Sequence, residues 1–218
     1  MIKAAIFDFD GLILDTETAW YDAYKEVLKR QFQFNLPLED FAKCVGSNDT
    51  MFLSYLQKEI GSQLNIDSIR EEAWKLHSQY VSDAKAREGV TEYLQGAKDQ
   101  GLTVSLATSS TTEWATTHLT NLNLLSYFDF LVTKDMVDRV KPAPDLFLKA
   151  LENLGVEAHE AVVFEDSLNG LLAAQKAELP TVIIPNPVTA GLPFENYHLK
   201  LNSMADMTLK EVLKTLDG

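Results

Sequence analysis

Apolar and polar positions change rhythm along this chain of 218 residues. Ala4-Ala5-Ile6-Phe7 is an unbroken apolar run, and Lys3 to Phe7 reads as a short strand buried on both faces. Between 16 and 86 the period becomes helical, with Trp20, Tyr21, Tyr24, Val27 and Leu28 at i, i+3 and i+4 spacing. Asn35-Leu36-Pro37 breaks that helix. Further helical stretches are expected over 38–44, 48–60 and 66–82, with no strand-like run among them. From Gly89 onward helices and apolar runs alternate. The pattern predicts helices over 90–100, 112–122, 144–154 and 168–177. It predicts strands at Thr103–Thr108, Phe130–Thr133, Ala161–Phe164 and Pro180–Ile184. Pro144 opens the third of these helices and Gly155 stops it.

Strands alternating with helices imply right-handed crossovers. The predicted fold class is therefore α/β: a Rossmann-like parallel sheet with helices on both faces, plus an inserted all-helical cap. The expected division is a core of residues 1–15 and 87–218 and a cap of residues 16–86.

Charge narrows the partners. A formal charge of −13 argues against nucleic acid or an anionic membrane surface, both of which need a basic face. It leaves an anionic substrate open, since one metal ion or lysine reverses the local field. The single cysteine, Cys44, forbids an internal disulfide and suits a reducing compartment. Asp8 interrupts the first apolar run, and no apolar segment approaches the roughly 20 residues that span a membrane. The expectation is a soluble cytoplasmic monomer with no membrane or nucleic-acid partner.

In an open parallel sheet, ligands bind beyond the carboxyl ends of the strands. Asp8 and Asp10 stand at the end of the first strand. Thr108-Ser109-Ser110 follow the second, Lys141 follows the 130–140 segment, and Glu165-Asp166 end the strand at 161–164. Four carboxylates at one edge repel one another and need a hard cation; Mg²⁺ takes oxygen ligands and keeps water for a phosphate substrate. One carboxylate can attack phosphorus, and a second can protonate the leaving oxygen and then activate water. A hydroxyl with a backbone N–H can hold phosphoryl oxygens, and a lysine can neutralise moving charge.

Asp8-Phe9-Asp10-Gly11, Leu106-Ala107-Thr108-Ser109-Ser110, Lys141-Pro142-Ala143-Pro144-Asp145 and Phe164-Glu165-Asp166-Ser167 together resemble the four motifs of the haloacid dehalogenase-like hydrolases. The likeness is closest to the subgroup of sugar-phosphate phosphatases and β-phosphoglucomutases, and it covers nearly the whole chain in order. The resemblance implies Asp8 as nucleophile and Asp10 as general acid/base. It implies Thr108 and Ser109 as phosphoryl ligands and Lys141 as stabiliser. Asp8, Asp166 and the Asp10 carbonyl would hold Mg²⁺, with Glu165 a direct or water-mediated ligand. Trp20 and Asn48 of the cap are candidates for substrate contact, as are Asp49, Lys75 and His77.

The mutases of this subgroup carry a histidine after the entry hinge and an arginine in the cap loop. Here the hinge reads Asp15-Thr16-Glu17-Thr18-Ala19-Trp20 and the loop Val45-Gly46-Ser47-Asn48-Asp49-Thr50, with neither. The expectation is an Mg-dependent phosphomonoester phosphatase acting on a small phosphorylated metabolite, such as a sugar phosphate, through an aspartyl-phosphate. The alternatives are a β-phosphoglucomutase-type mutase and a non-catalytic phospho-acceptor module. Two positions depart from the family pattern: Glu88 precedes Gly89 where proline is usual, and Glu178 replaces a glycine after the helix at 168–177. Trp74 and Trp114 read as packing, Cys44 as a small buried hydrophobe, His118, His159 and His198 as surface, and His77 as solvated rather than catalytic.

Overall fold

A computed structural model describes residues 1–45, 49–61 and 64–216, without the side chains of 49–51. Six parallel strands form one sheet: β1 (Ala4–Phe7), β2 (Thr103–Ala107), β3 (Phe130–Val132), β4 (Ala161–Glu165), β5 (Thr181–Ile183) and β6 (Leu199–Lys200), in the spatial order β3-β2-β1-β4-β5-β6. The chain runs outward from β1 through β2 to β3, then returns to β4 on the other flank of β1. The carboxyl end of β1 therefore lies at the switch point, where parallel sheets open a crevice.

Alternate residues of β1 feed two cores. Ala5 and Phe7 join one with α5 (Val90–Asp99), α6 (Thr112–Asn121) and α9 (Leu209–Leu216). Ala4 and Ile6 join the other with α7 (Asp145–Leu154) and α8 (Leu168–Lys176). The α/β layering is as expected. The expected elements omit β6 and α9: two residues are too few to show a strand period, whereas α9 does carry the helical spacing Leu209, Val212, Leu213 and Leu216.

The segment between β1 and α5 is helical: α1 (Thr16–Phe32), α2 (Leu38–Ala42), α3 (Asp49–Ile60) and α4 (Ile66–Ser82). These helices bury their own cluster, including Tyr24, Leu28, Phe41, Phe52, Leu56 and Ala73, which Val188 of the core joins. Asp15 caps α1, its carboxylate accepting from the Thr18 N–H at 3.1 Å. The two passages between core and helices lie side by side, Leu14 bridging Ala86. The Arg87 guanidinium fastens them, donating to the carbonyls of Gly11, Ile184 and Pro185.

Candidate active site

β1 pairing continues past its last residue, the Asp8 N–H donating to the Phe164 carbonyl at 3.1 Å, so the Asp8 side chain is aimed by the sheet itself. The buried Lys141 reaches it from the loop before α7. Its ammonium donates to Asp8 Oδ1, to the Ala107 carbonyl at 2.7 Å and to Glu165 Oε1 at 2.6 Å. All three donors of that ammonium are used. Burial pushes the Lys141 pKa down, but Asp8 and Glu165 outweigh it and hold the group charged. Burial pushes Asp8 up to about 8 against the pull of Lys141, and Glu165 and Asp10 push the same way.

Glu165 spends its other oxygen at the start of α8, Oε2 accepting from the Asp166 and Ser167 N–H groups at 3.1 and 3.3 Å and from Ser167 Oγ at 3.1 Å. Asp166 Oδ2 accepts from Asn186 Nδ2 at 2.6 Å. Asp166 Oδ1 is buried and has no partner among the described residues. Ligand oxygens of Asp8, Glu165 and Asp166 lie within 4.8 Å of one another. An orphaned carboxylate oxygen inside such a cluster fits a hard, oxygen-seeking cation. Gly11 makes room for the Asp166–Asn186 contact: at φ 80° its Cβ would stand 2.3 Å from Asp166 Oδ2 and 2.6 Å from Asn186 Nδ2.

Asp10, less buried than Asp8, sits among four donors. Oδ1 accepts from Trp114 Nε1 at 2.9 Å and Thr16 Oγ1 at 3.1 Å; Oδ2 accepts from Ser110 Oγ at 2.6 Å and Thr108 Oγ1 at 3.4 Å. Thr108 Oγ1 in turn accepts from the Ser110 N–H at 3.0 Å. Ser109 Oγ is buried without a partner among the described residues. A cavity of about 360 Å³ unites the sheet edge with the helices above it. Asp8, Asp10, Thr108, Ser109, Lys141 and Asp166 form its floor, and Trp20, Tyr24, Phe41 and Phe52 its roof. Glu17 also lines it, and burial with the charges of Asp10, Asp8 and Asp15 pushes that carboxyl up to about 8. Among the described residues, the only cations lining it are Lys134 and Lys141, neither from the helices.

The structure thus brings together Asp8, Asp10, Thr108, Ser109, Lys141, Glu165, Asp166 and Trp20. Asn48 lies outside the described residues, as does the side chain of Asp49. Lys75 does not reach the cavity; it pairs with Glu71 at 2.6 Å on the outer face of α4. Four expectations are corrected. His77 is fully buried, because α4 packs through Ile69, Ala73, His77 and Val81, spaced four apart. Trp114 hydrogen-bonds Asp10 as well as packing. His118 is half-buried, its ring 4.1 Å from that of Trp114. Cys44 is half-buried on the cavity wall. Asn186 had no part in the expected site, and Ser110 entered it only within the Thr108-Ser109-Ser110 stretch, with no role of its own. Asn186 follows the apolar strand β5 as Asp8 follows β1, and that position was its signal.

Residues 5–184 match the family model described as haloacid dehalogenase-like hydrolase. The chain is 43% identical over its whole length, and 99% of the other, to YhcW of Bacillus subtilis, a candidate phosphatase by its name. It is 31% identical to the phosphorylated carbohydrates phosphatase of Thermotoga maritima, over 83% of this chain and 84% of that one. The crystal structure of CbbY from Rhodobacter sphaeroides in complex with phosphate superposes with a TM-score of 0.75 at 25% identity, covering all of both chains.

Proposed function

Because the chain belongs to the haloacid dehalogenase-like hydrolases, as a phosphoric monoester hydrolase, we propose that it is an Mg²⁺-dependent phosphatase of small phosphorylated metabolites, sugar phosphates foremost, working through an aspartyl-phosphate on Asp8. The observation that carries the reading is the shared ammonium of Lys141, which joins Asp8 to Glu165 beside the orphaned oxygen of Asp166. The names of two relatives, a phosphatase of phosphorylated carbohydrates and a candidate phosphatase, point the same way.

In this reading Thr108 and Ser109 hold phosphoryl oxygens, and Lys141 keeps one oxygen of Asp8 in place while the other attacks phosphorus. Asp10 gives a proton to the departing oxygen as the ester bond breaks. It then takes a proton from water, which attacks the phosphoryl group and frees Asp8 with inorganic phosphate. Asp8, Asp166 and the Asp10 carbonyl would hold the Mg²⁺, which supplies charge neutralisation at the phosphoryl oxygens. Glu165 fixes Lys141 beside them. Residues 16–86 serve as the cap that closes over this site, turning on segments near Asp15 and 83–89. A mutase would need a cationic clamp for a second phosphate, and the cavity roof supplies none among the described residues.

The test is turnover of an aryl phosphate and a panel of sugar phosphates with Mg²⁺ and with excess chelator, alongside thermal melting. Activity should vanish on chelation and return with Mg²⁺, and Mg²⁺ should raise the melting temperature of the native protein but not of Asp166→Ala. Full turnover in chelator with no bound metal would overturn the site assignment.

A further inference from the structure

We infer that Trp114 is a positioning residue for Asp10, and that the cap governs it through Trp74 and His77. The inference rests on the acid/base role proposed for Asp10. Three observations carry it.

The first is the bond itself. The indole Nε1 of Trp114 lies 2.9 Å from Asp10 Oδ1. An indole N–H donates and cannot accept. Oδ1 must therefore present a lone pair to it, and a proton on Asp10 belongs on Oδ2. The partners of Oδ2 are hydroxyls, Ser110 Oγ at 2.6 Å and Thr108 Oγ1 at 3.4 Å, and a hydroxyl accepts as readily as it donates. Oδ2 is also the oxygen on the side of Thr108, where the phosphoryl group is expected. Trp114 thus selects the oxygen that faces the chemistry.

The second is where the indole is held. Trp114 belongs to α6 of the core, yet its ring meets two rings of α4: Trp74 at 5.6 Å and His77 at 5.7 Å, the latter stacked. His77 lies against Trp20 of α1 at 3.9 Å, and Trp20 against Trp74 at 5.7 Å. All three tryptophans of the chain converge on this one histidine.

The third is that His77 is fully buried and stacks as a flat ring in this seam, with the Thr16 backbone as its polar neighbour. Aromatic rings in such offset or edge contacts attract one another beyond the area they bury. These contacts last only while the helices sit over the core. When the cap swings away, the indole keeps only His118 of its own helix against it, and the shorter of the two hydrogen bonds to Oδ1, the other coming from Thr16 Oγ1, is no longer held in place. Proton transfer is then set up only when the site is covered.

The experiment compares the native protein, Trp114→Phe, Trp74→Ala and Asp10→Asn on aryl and alkyl phosphates whose leaving groups differ in basicity. Phenylalanine keeps the ring and removes the N–H. Trp114→Phe should lower kcat with KM little changed, by about tenfold or more on the alkyl phosphate and by much less on the best aryl leaving group, which needs little protonation. Trp74→Ala should show the same leaving-group dependence without touching Asp10. A packing defect alone would lower all substrates alike, and that result would overturn the inference. So would a native leaving-group dependence in both variants while Asp10→Asn remains impaired. Native turnover in Asp10→Asn would instead remove the acid/base reading beneath it. Melting curves identify any variant that does not fold; Trp74→Ala then carries the test.

Discussion

The carboxylate of Glu165 occupies the place where Gly170 would carry a side chain. A β-carbon on Gly170 would stand 1.9 Å from Glu165 Cδ and 2.0 Å from each of its oxygens. The relationship joins α8 to the buried charges, because the same carboxylate holds Lys141 at 2.6 Å. Gly170→Ala should push Glu165 aside and leave Lys141 short of a partner. A displacement of about 1 Å at a reacting site can lower rates by about 100-fold, and forced overpacking costs about 1–3 kcal/mol. Steady-state kinetics and chemical denaturation of Gly170→Ala should show both losses together.

The two carboxylates that follow β1 should separate in a quench experiment. Asp8→Asn should abolish phosphoenzyme and turnover at once, since an amide is no nucleophile toward phosphorus. Asp10→Asn leaves Asp8 with its Lys141 partner. With an aryl phosphate its first step should survive better than its second, because the leaving group needs little protonation while water still needs a base. Phosphoenzyme should accumulate, and rapid quench with mass spectrometry of residues 1–20 should place it on Asp8. Label on Thr108 or Ser109 would contradict the assignment.

Much of this arrangement was legible in the chain because strand-end chemistry is local. Asp8, Thr108, Glu165 and Asp166 each stand within a residue or two of an apolar run, and the parallel sheet brings such positions to one edge. What could not be read were contacts made across the seam between core and helices. Trp114 looked like packing because its partner, Asp10, is 104 positions away. His77 looked solvated beside Lys75, although the four-residue spacing of Ile69, Ala73, His77 and Val81 marks a buried face. β6 was illegible for want of length, whereas α9 shows a helical period in Leu209, Val212, Leu213 and Leu216, and the first three of these are core residues.

Glu178 was singled out as a departure at a position where glycine is usual, and its backbone is left-handed, with φ 57°. A residue with a β-carbon pays about 1–2 kcal/mol to adopt that conformation. Glycine removes the strain but gives back about 0.5–1 kcal/mol through its freedom in the unfolded chain. Glu178 is exposed, so little packing is lost. Glu178→Gly should therefore stabilise the protein by about 0.5–1 kcal/mol, which for a chain of this size raises the melting temperature by about 1–4 °C. Activity should be unchanged, because the position lies beyond the last turn of α8 and away from the cavity. A melting temperature equal to or below the native value would show that the left-handed residue carries no strain.

The buried histidine gives the fold a pH dependence of a definite sign. Burial lowers the pKa of His77 from 6.5 to about 4; a hydrogen bond with the Thr16 backbone opposes this and the neighbouring His118 adds to it. Its other close neighbours are the rings of Trp20, Trp74 and Trp114, which bear no charge. Above pH 6.5 the imidazole is neutral in both folded and unfolded chains and contributes no slope. As pH falls below 6.5 the unfolded chain takes up a proton that the folded chain refuses, so stability declines until about pH 4. At 1.36 kcal/mol per unit, the loss by pH 5 is about 2 kcal/mol. Other groups titrate in the same range, Asp8 and Glu17 with the opposite sign because their folded values are raised to about 8. The measurement that isolates His77 is therefore a comparison with His77→Phe, which keeps a flat ring in the stack. The difference in stability between the two proteins should be nearly constant above pH 7. Between pH 6.5 and pH 5 it should move in favour of His77→Phe by about 2 kcal/mol. Denaturation midpoints that stay parallel down to pH 5 would mean that His77 is protonated as easily in the folded protein as in the unfolded chain.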